Sequence, residues 1–134
     1  MKKIVGILVF LFLTSILCAG IWSDLKQFQK YKFVKSVAVE ADDAGNTFVA
    51  VANYTEAAKI AKTYSKIEYS LYQMNSAAFC LIKVYKETKN QTLIKEALDI
   101  LTEIQNTMKD QNIDNDKLSK DIDSNINFCQ DNLK

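Results

Sequence analysis

Catalysis needs side chains that move protons, hold metals or attack electrophiles, and this 134-residue chain offers few of them. It contains no histidine, which removes the commonest general base at neutral pH. No glycine-rich stretch is present to cradle a phosphate, and no cysteine pair has the spacing of a metal knuckle. Carboxylates are plentiful, at 16 Asp and Glu, but none is set apart from the solvated helix surfaces that such groups normally decorate. The expectation is a protein without enzymatic activity and without a cofactor. A formal net charge of +1 gives no strong global field and so no argument for nucleic acid as a partner.

One oxygen-rich stretch bears on metal chemistry. Asp110, Asn112 and Asp114 place side-chain oxygens at alternate positions, and Asp121 closes the series at the twelfth. Hard oxygen ligands between two predicted helices suit calcium, and the stretch 110–121 resembles an EF-hand loop. It departs from that pattern at Asn115, which replaces the turn glycine, at Lys117, which replaces an aliphatic residue, and at Asp121, which replaces the longer glutamate. The competing reading is a polar loop that ends in an Asp N-cap for the last helix.

The N-terminus reads as an address. Met1-Lys2-Lys3 is basic, Ile4 to Leu17 is apolar, and Cys18-Ala19-Gly20 supplies small residues, the three-part layout of a secretory signal over residues 1–20. The apolar run falls short of the roughly 20 residues of a spanning helix. Ser15 and Leu17 fit a lipid-modified Cys18 poorly. With a Lys-, Asn- and Ile-rich composition of bacterial character, the expected location is periplasmic or secreted. Cys80 and Cys129 remain in the mature chain. They either pair, closing a loop of roughly 50 residues for on the order of 4 kcal/mol, or stay apart as small buried hydrophobes. Asn53-Tyr54-Thr55 and Asn90-Gln91-Thr92 match the glycosylation triplet and are read as chance matches in an Asn-rich chain.

The elements that must position these residues read as helices. Ser23-Asp24 is a candidate cap for a first helix through Leu25, Phe28, Tyr31 and Val34. Two patterns compete between Val37 and Val51. Alternation at Val37, Val39 and Ala41, a turn over 42–46 and a return through Phe48 describe a β-hairpin. Ala41, Ala44/Gly45, Phe48 and Val51/Ala52 instead recur every three to four residues, as a helix requires. The helical pattern is adopted, with a turn at Asn53 and a second helix from Tyr54 to about Tyr64. Ser65 and Glu68 form a capping box for a long helix ending near Thr88. A helix from Leu93 to about Met108 follows, then a polar loop over 110–116. The last helix, 117–133, is amphipathic on Leu118, Ile122, Ile126, Cys129 and Leu133.

Gly45 and Ala57 are small enough to let two antiparallel helices approach, with Phe48, Tyr54 and Tyr64 around the contact. In this the chain resembles the tetratricopeptide repeat, a helix–turn–helix unit of about 34 residues. The resemblance covers residues 37–108 as two units, 38–68 and 69–108, with Asn53 and Asn90 in matching turns and Ala57 and Ala97 at matching contacts. Ile82 stands where the family prefers glycine, and the proline after each second helix is missing. The resemblance implies an all-α domain over residues 21–134, with helix 117–133 as its polar-faced cap. It also implies a concave groove lined by the first helix of each unit. Groove-facing positions would be Asp42, Asn46 and Val49, then Phe79, Lys83 and Lys86, suiting an extended segment with spaced charges and an apolar anchor at Phe79. The function so implied is non-catalytic binding of a peptide segment or partner protein. The rivals are a calcium-stabilised helical protein and a self-associating structural component of the envelope.

Overall fold

Over the described residues the computed structural model has five α-helices: α1 (Lys2–Asp43), α2 (Thr47–Thr63), α3 (Ile67–Thr88), α4 (Gln91–Asp110) and α5 (Asp116–Asn132). The structure describes residues 2–64 and 66–133, with side chains from Ala19 onward. No strand occurs among the described residues, so the hairpin pattern of 37–51 is not the fold. Most of the expected signal lies outside the residues whose side chains are described, and so does Ser65 of the expected capping box. The N-cap of α3 is Lys66, whose side chain makes no capping bond. Among the described residues no helix is long and apolar enough to cross a membrane.

The first hairpin turns earlier than the sequence pattern predicts. α1 runs without a break through Ser23 and stops at Asp43. A Schellman motif ends it: the Asn46 N–H donates to the Ala41 carbonyl at 2.8 Å, and the Gly45 N–H donates to the Asp42 carbonyl at 3.0 Å. Gly45 sits at φ 74°, which favours a residue without Cβ. A Cβ placed there would meet nothing within 4 Å. Gly45 therefore serves the turn and not a close helix contact, and the stripe from Ala41 to Val51 is interrupted at this point. Asn53 lies inside α2, where its side-chain amide donates to the Val49 carbonyl at 2.9 Å.

The second hairpin turns at Lys89, also left-handed at φ 57°, whose N–H reaches the Tyr85 carbonyl at 2.7 Å. Asn90 then caps α4 by accepting from the Thr92 N–H at 3.0 Å. The matching turn residues are thus Asn46 and Asn90, the N-cap positions of α2 and α4.

Packing differs between the two ends of the bundle. α2 packs against α1 and α3 largely through alanines, with Ala38, Ala50, Ala57, Ala61 and Ala77 all buried. Side chains this small let helix axes come close, the role expected of Ala57. Phe48, expected at the same contact, is exposed. Around α3, α4 and α5 the core is built from larger aliphatics, including Leu71, Leu81, Ile94, Leu101, Leu118 and Ile122. Each contributes about 1.5–3 kcal/mol on burial. Through Leu118, Ile122 and Cys129, α5 closes the end of this core.

Candidate functional site

Two side-chain bonds set the relation of α1 to α3. Gln73 Nε2 donates to the Tyr31 hydroxyl at 3.0 Å, and Lys83 donates to Asp42. The partners are 42 and 41 residues apart in sequence, so the two helices run parallel at a constant offset. On the other flank Asn115 Nδ2 donates to the Tyr72 hydroxyl at 3.1 Å, and Asn125 Nδ2 reaches Asn75 Oδ1 at 3.4 Å. α1, α3 and α5 thereby form one parallel row, with α2 packed between the first two and α4 between the last two.

A channel of about 900 Å³ runs along this row between α1 and α3. α1 presents Phe28, Lys32, Lys35 and Val39 to it, α3 presents Tyr69, Tyr72, Asn75 and Ser76, and Tyr31 and Gln73 form its floor. Phe28, Val39, Tyr69 and Tyr72 remain exposed, an apolar and aromatic lining open to solvent. Tyr31 is held between rings, with Phe28 at 6.4 Å and Tyr69 at 5.9 Å in stacked geometry and Tyr64 edge-on at 6.3 Å. Burial, reinforced by Tyr64 and Tyr69, raises the Tyr31 phenol above its ordinary range. The hydroxyl is therefore protonated and able to donate at neutral pH. A smaller notch of about 290 Å³ lies between α3 and α5, against Asn75, Phe79, Asp121, Ser124 and Asn125.

The structure divides the six groove positions expected from the sequence. Asp42, Phe79 and Lys83 come together: Lys83 binds Asp42 and carries its ammonium 5.7 Å from the Phe79 ring centroid. Lys86 turns instead toward α5, 4.8 Å over the Phe128 ring. Asn46 sits in the α1–α2 turn and Val49 in the exposed first turn of α2, away from the channel lining. The channel's own residues, Phe28, Tyr31, Lys32, Lys35, Tyr69, Tyr72 and Gln73, were not singled out by sequence reasoning. A signal for them exists. Phe28 and Tyr31 lie three apart, and Tyr69 and Tyr72 repeat that spacing at the 41-residue offset of the helices.

The oxygens of the expected calcium loop do not converge. Asn112 is the left-handed residue, at φ 50°, of a second Schellman motif that ends α4, in which the Ile113 N–H reaches the Met108 carbonyl at 2.9 Å. Asn115 Oδ1 is committed to the Leu118 N–H at 3.0 Å as the cap of α5. Asp110 is the last residue of α4, and Asn112 and Asp114 line the outer α4–α5 hollow, whereas Asp121 faces the α3–α5 notch. Among the described residues no group of three or more His, Cys, Asp or Glu side chains is arranged to hold a metal. The polar-loop reading, with Asn115 in place of an Asp as the cap, describes this segment.

Cys80 and Cys129 are free, buried thiols in separate core clusters of this structure. Burial pushes both up to about 11, with Asp42 adding to the effect at Cys80. No protein-family model, curated protein or solved structure matches the chain.

Proposed function

We propose that this protein is a non-catalytic interaction module that binds an extended segment of another protein along the concave face of α1, α3 and α5. The channel between α1 and α3 carries this reading, because it keeps Phe28, Val39, Tyr69 and Tyr72 open to solvent on one continuous surface. We read the architecture as a tetratricopeptide-like stack of hairpins, supported by the parallel row of odd-numbered helices. Its offset of 41–42 residues is longer than the roughly 34 of that family's unit. Selection of a random peptide library on the full chain, followed by photo-crosslinking, tests the function. Crosslinks at Tyr69 and Tyr72 support it, and crosslinks confined to α2 and α4 overturn it.

Export belongs to the same proposal, on the basic start, apolar run and small residues of 1–20. Thiol titration in urea checks it on protein recovered from cells. Two thiols, Cys80 and Cys129, are expected after cleavage at Gly20, and a third, from Cys18, shows that the segment is retained.

A further inference from the structure

Resting on the concave-face reading, we propose that the segment taken by the α1–α3 channel is acidic. Its carboxylates meet Lys32 and Lys35, and one of its backbone amides meets the Tyr31–Gln73 pair. Two independent observations carry this, and the first is charge. α3 lines the channel only with uncharged side chains, while α1 supplies Lys32 and Lys35, with Glu40 toward the Asp42 end. Among the described residues neither lysine is in an ion pair; Lys30 pairs with Glu56, Lys62 with Glu103 and Lys83 with Asp42. The Lys32 ammonium lies 5.5 Å from the centroid of the Phe28 ring, a contact that positions it at the wall without neutralising it. Most of the channel is therefore electropositive, and spaced carboxylates are its complement.

The second observation is an orphaned amide in the floor. Gln73 is only 4% exposed, its Nε2 is bonded to the Tyr31 hydroxyl, and its Oε1 has no partner. Turning the amide round exchanges one orphan for another: the oxygen would accept from Tyr31, and the NH₂ would be left unmatched. Unmatched polar groups at this depth are unfavourable, and a ligand that supplies the missing bond is favoured accordingly. Having accepted from Gln73, the Tyr31 hydroxyl retains a proton to donate. An acceptor beside a donor is the complement of one peptide group, with its C=O to Tyr31 and its N–H to Gln73 Oε1, an atom closed to solvent in this structure that the Gln73 side chain must turn toward the channel to present. Phe28 and Tyr69 cover the faces of the Tyr31 ring, so the floor offers polar edges and not the open platform on which a sugar ring would stack. From Phe28 to Glu40 the channel follows roughly 18 Å of helix, room for about five extended residues.

Fluorescence anisotropy of the full chain with dye-labelled peptide pools tests the proposal. The pools are acidic, neutral and basic heptapeptides built on the same Leu and Phe positions. The acidic pool is expected to bind about tenfold or more tighter than the basic one and to weaken as salt rises. Lys32→Glu/Lys35→Glu, at two exposed positions, is expected to reverse that order. Gln73→Leu is expected to weaken acidic and neutral pools alike at unchanged helicity. Equal binding of acidic and basic pools, or a preference that survives the charge reversal, overturns the acidic occupant. The concave-face reading then still stands if Tyr72→Ala abolishes binding. Binding by no pool, or binding indifferent to Tyr72→Ala, overturns both. Tighter binding of polygalacturonate than of any peptide pool overturns the polypeptide assignment.

Discussion

Lys83 of α3 donates to the carboxylate of Asp42, one residue from the end of α1, and so ties together two helices separated in sequence by the whole of α2. The pair lies toward the same end of the channel as Glu40, and it settles how α1 is aligned on α3. Its energetic weight is modest. The Lys83 side chain is 38% exposed, so solvent screens the attraction. Lys83→Met and Asp42→Asn are each expected to lower stability by about 0.5–1 kcal/mol. The double variant is expected to cost less than the sum, a coupling that chemical denaturation of the four proteins measures directly. Additive losses would show that the pair does not hold the two helices in register.

Alkaline pH is expected to undo this fold. Among the described residues six groups are shifted in the folded state, all upward: Tyr31, Tyr54, Tyr64, Cys80 and Cys129 foremost by burial, and Lys83 foremost by its hydrogen bond to Asp42. A group raised on folding contributes stability that is fully present below its unfolded value and is lost as pH climbs through its folded value. For the two thiols that window runs from 9.0 to about 11, and for the phenols and Lys83 it opens at 10.0 and 10.5. Each thiol alone removes on the order of 1.4 kcal/mol per pH unit inside its window. Urea midpoints are therefore expected to hold steady near pH 8 and to fall steeply above about pH 9. Cys80→Ala/Cys129→Ala should make the first part of that fall shallower. A midpoint unchanged at about pH 10.5 would contradict the buried placement of these groups.

Gly45 separates a conformational from a packing role. With φ at 74° and open space where a Cβ would go, substitution is penalised through the backbone alone. Gly45→Ala is expected to cost about 1–2 kcal/mol, and Gly45→Asn less, because Asn tolerates the left-handed region. Equal costs for the two, rising with side-chain volume across a longer series, would restore the close-contact role that the sequence pattern suggested. Lys89 stands at the corresponding turn with φ 57° and a β-carbon, so Lys89→Gly is expected to stabilise by up to about 1 kcal/mol. Thermal melting of the variants decides both.

This contrast explains which parts of the fold were legible in the sequence. α3, α4 and α5 are readable to within about two residues, because large aliphatics such as Ile94, Leu101, Leu118 and Ile122 mark one face against polar neighbours. The α1–α2 hairpin is not. Its interface is made of Ala38, Ala50, Ala57 and Ala61, and alanine also recurs at exposed positions such as Ala44 and Ala52. A stripe of small residues there has little contrast, and the run from Ala41 to Val51 imitates a continuous face. Asp42–Asn46 carries a turn signal, but within the β-hairpin reading, whose strands do not exist among the described residues. Misplacing that turn puts Asn46 and Val49 on the supposed groove and leaves Tyr31, Lys32 and Lys35 off it, with Tyr31 read only as part of the first helix's apolar stripe. The orphaned end of Gln73 could not be read from sequence at all, since it depends on what three packed helices fail to supply.

The Asp110–Asp121 segment gives the last prediction, because two accounts of Asn112 diverge. As a calcium ligand Asn112 would contribute a side-chain oxygen, and removing that oxygen would abolish any metal-dependent stabilisation. As the left-handed residue of the α4 terminus it contributes only its backbone, at φ 50°, with the Ile113 N–H closing on Met108. The structure supports the second account. Asn112→Gly is therefore expected to leave stability unchanged or raise it by up to about 1 kcal/mol, and Asn112→Ala to lower it by about 1 kcal/mol. Calcium at millimolar concentration is expected to leave every melting midpoint where it was. A rise in the midpoint with calcium that disappears in Asn112→Gly would show that the loop closes around an ion after all. Asn115→Ala supplies the complementary measurement, since its oxygen caps α5 through the Leu118 N–H. It is expected to cost about 1 kcal/mol with or without calcium.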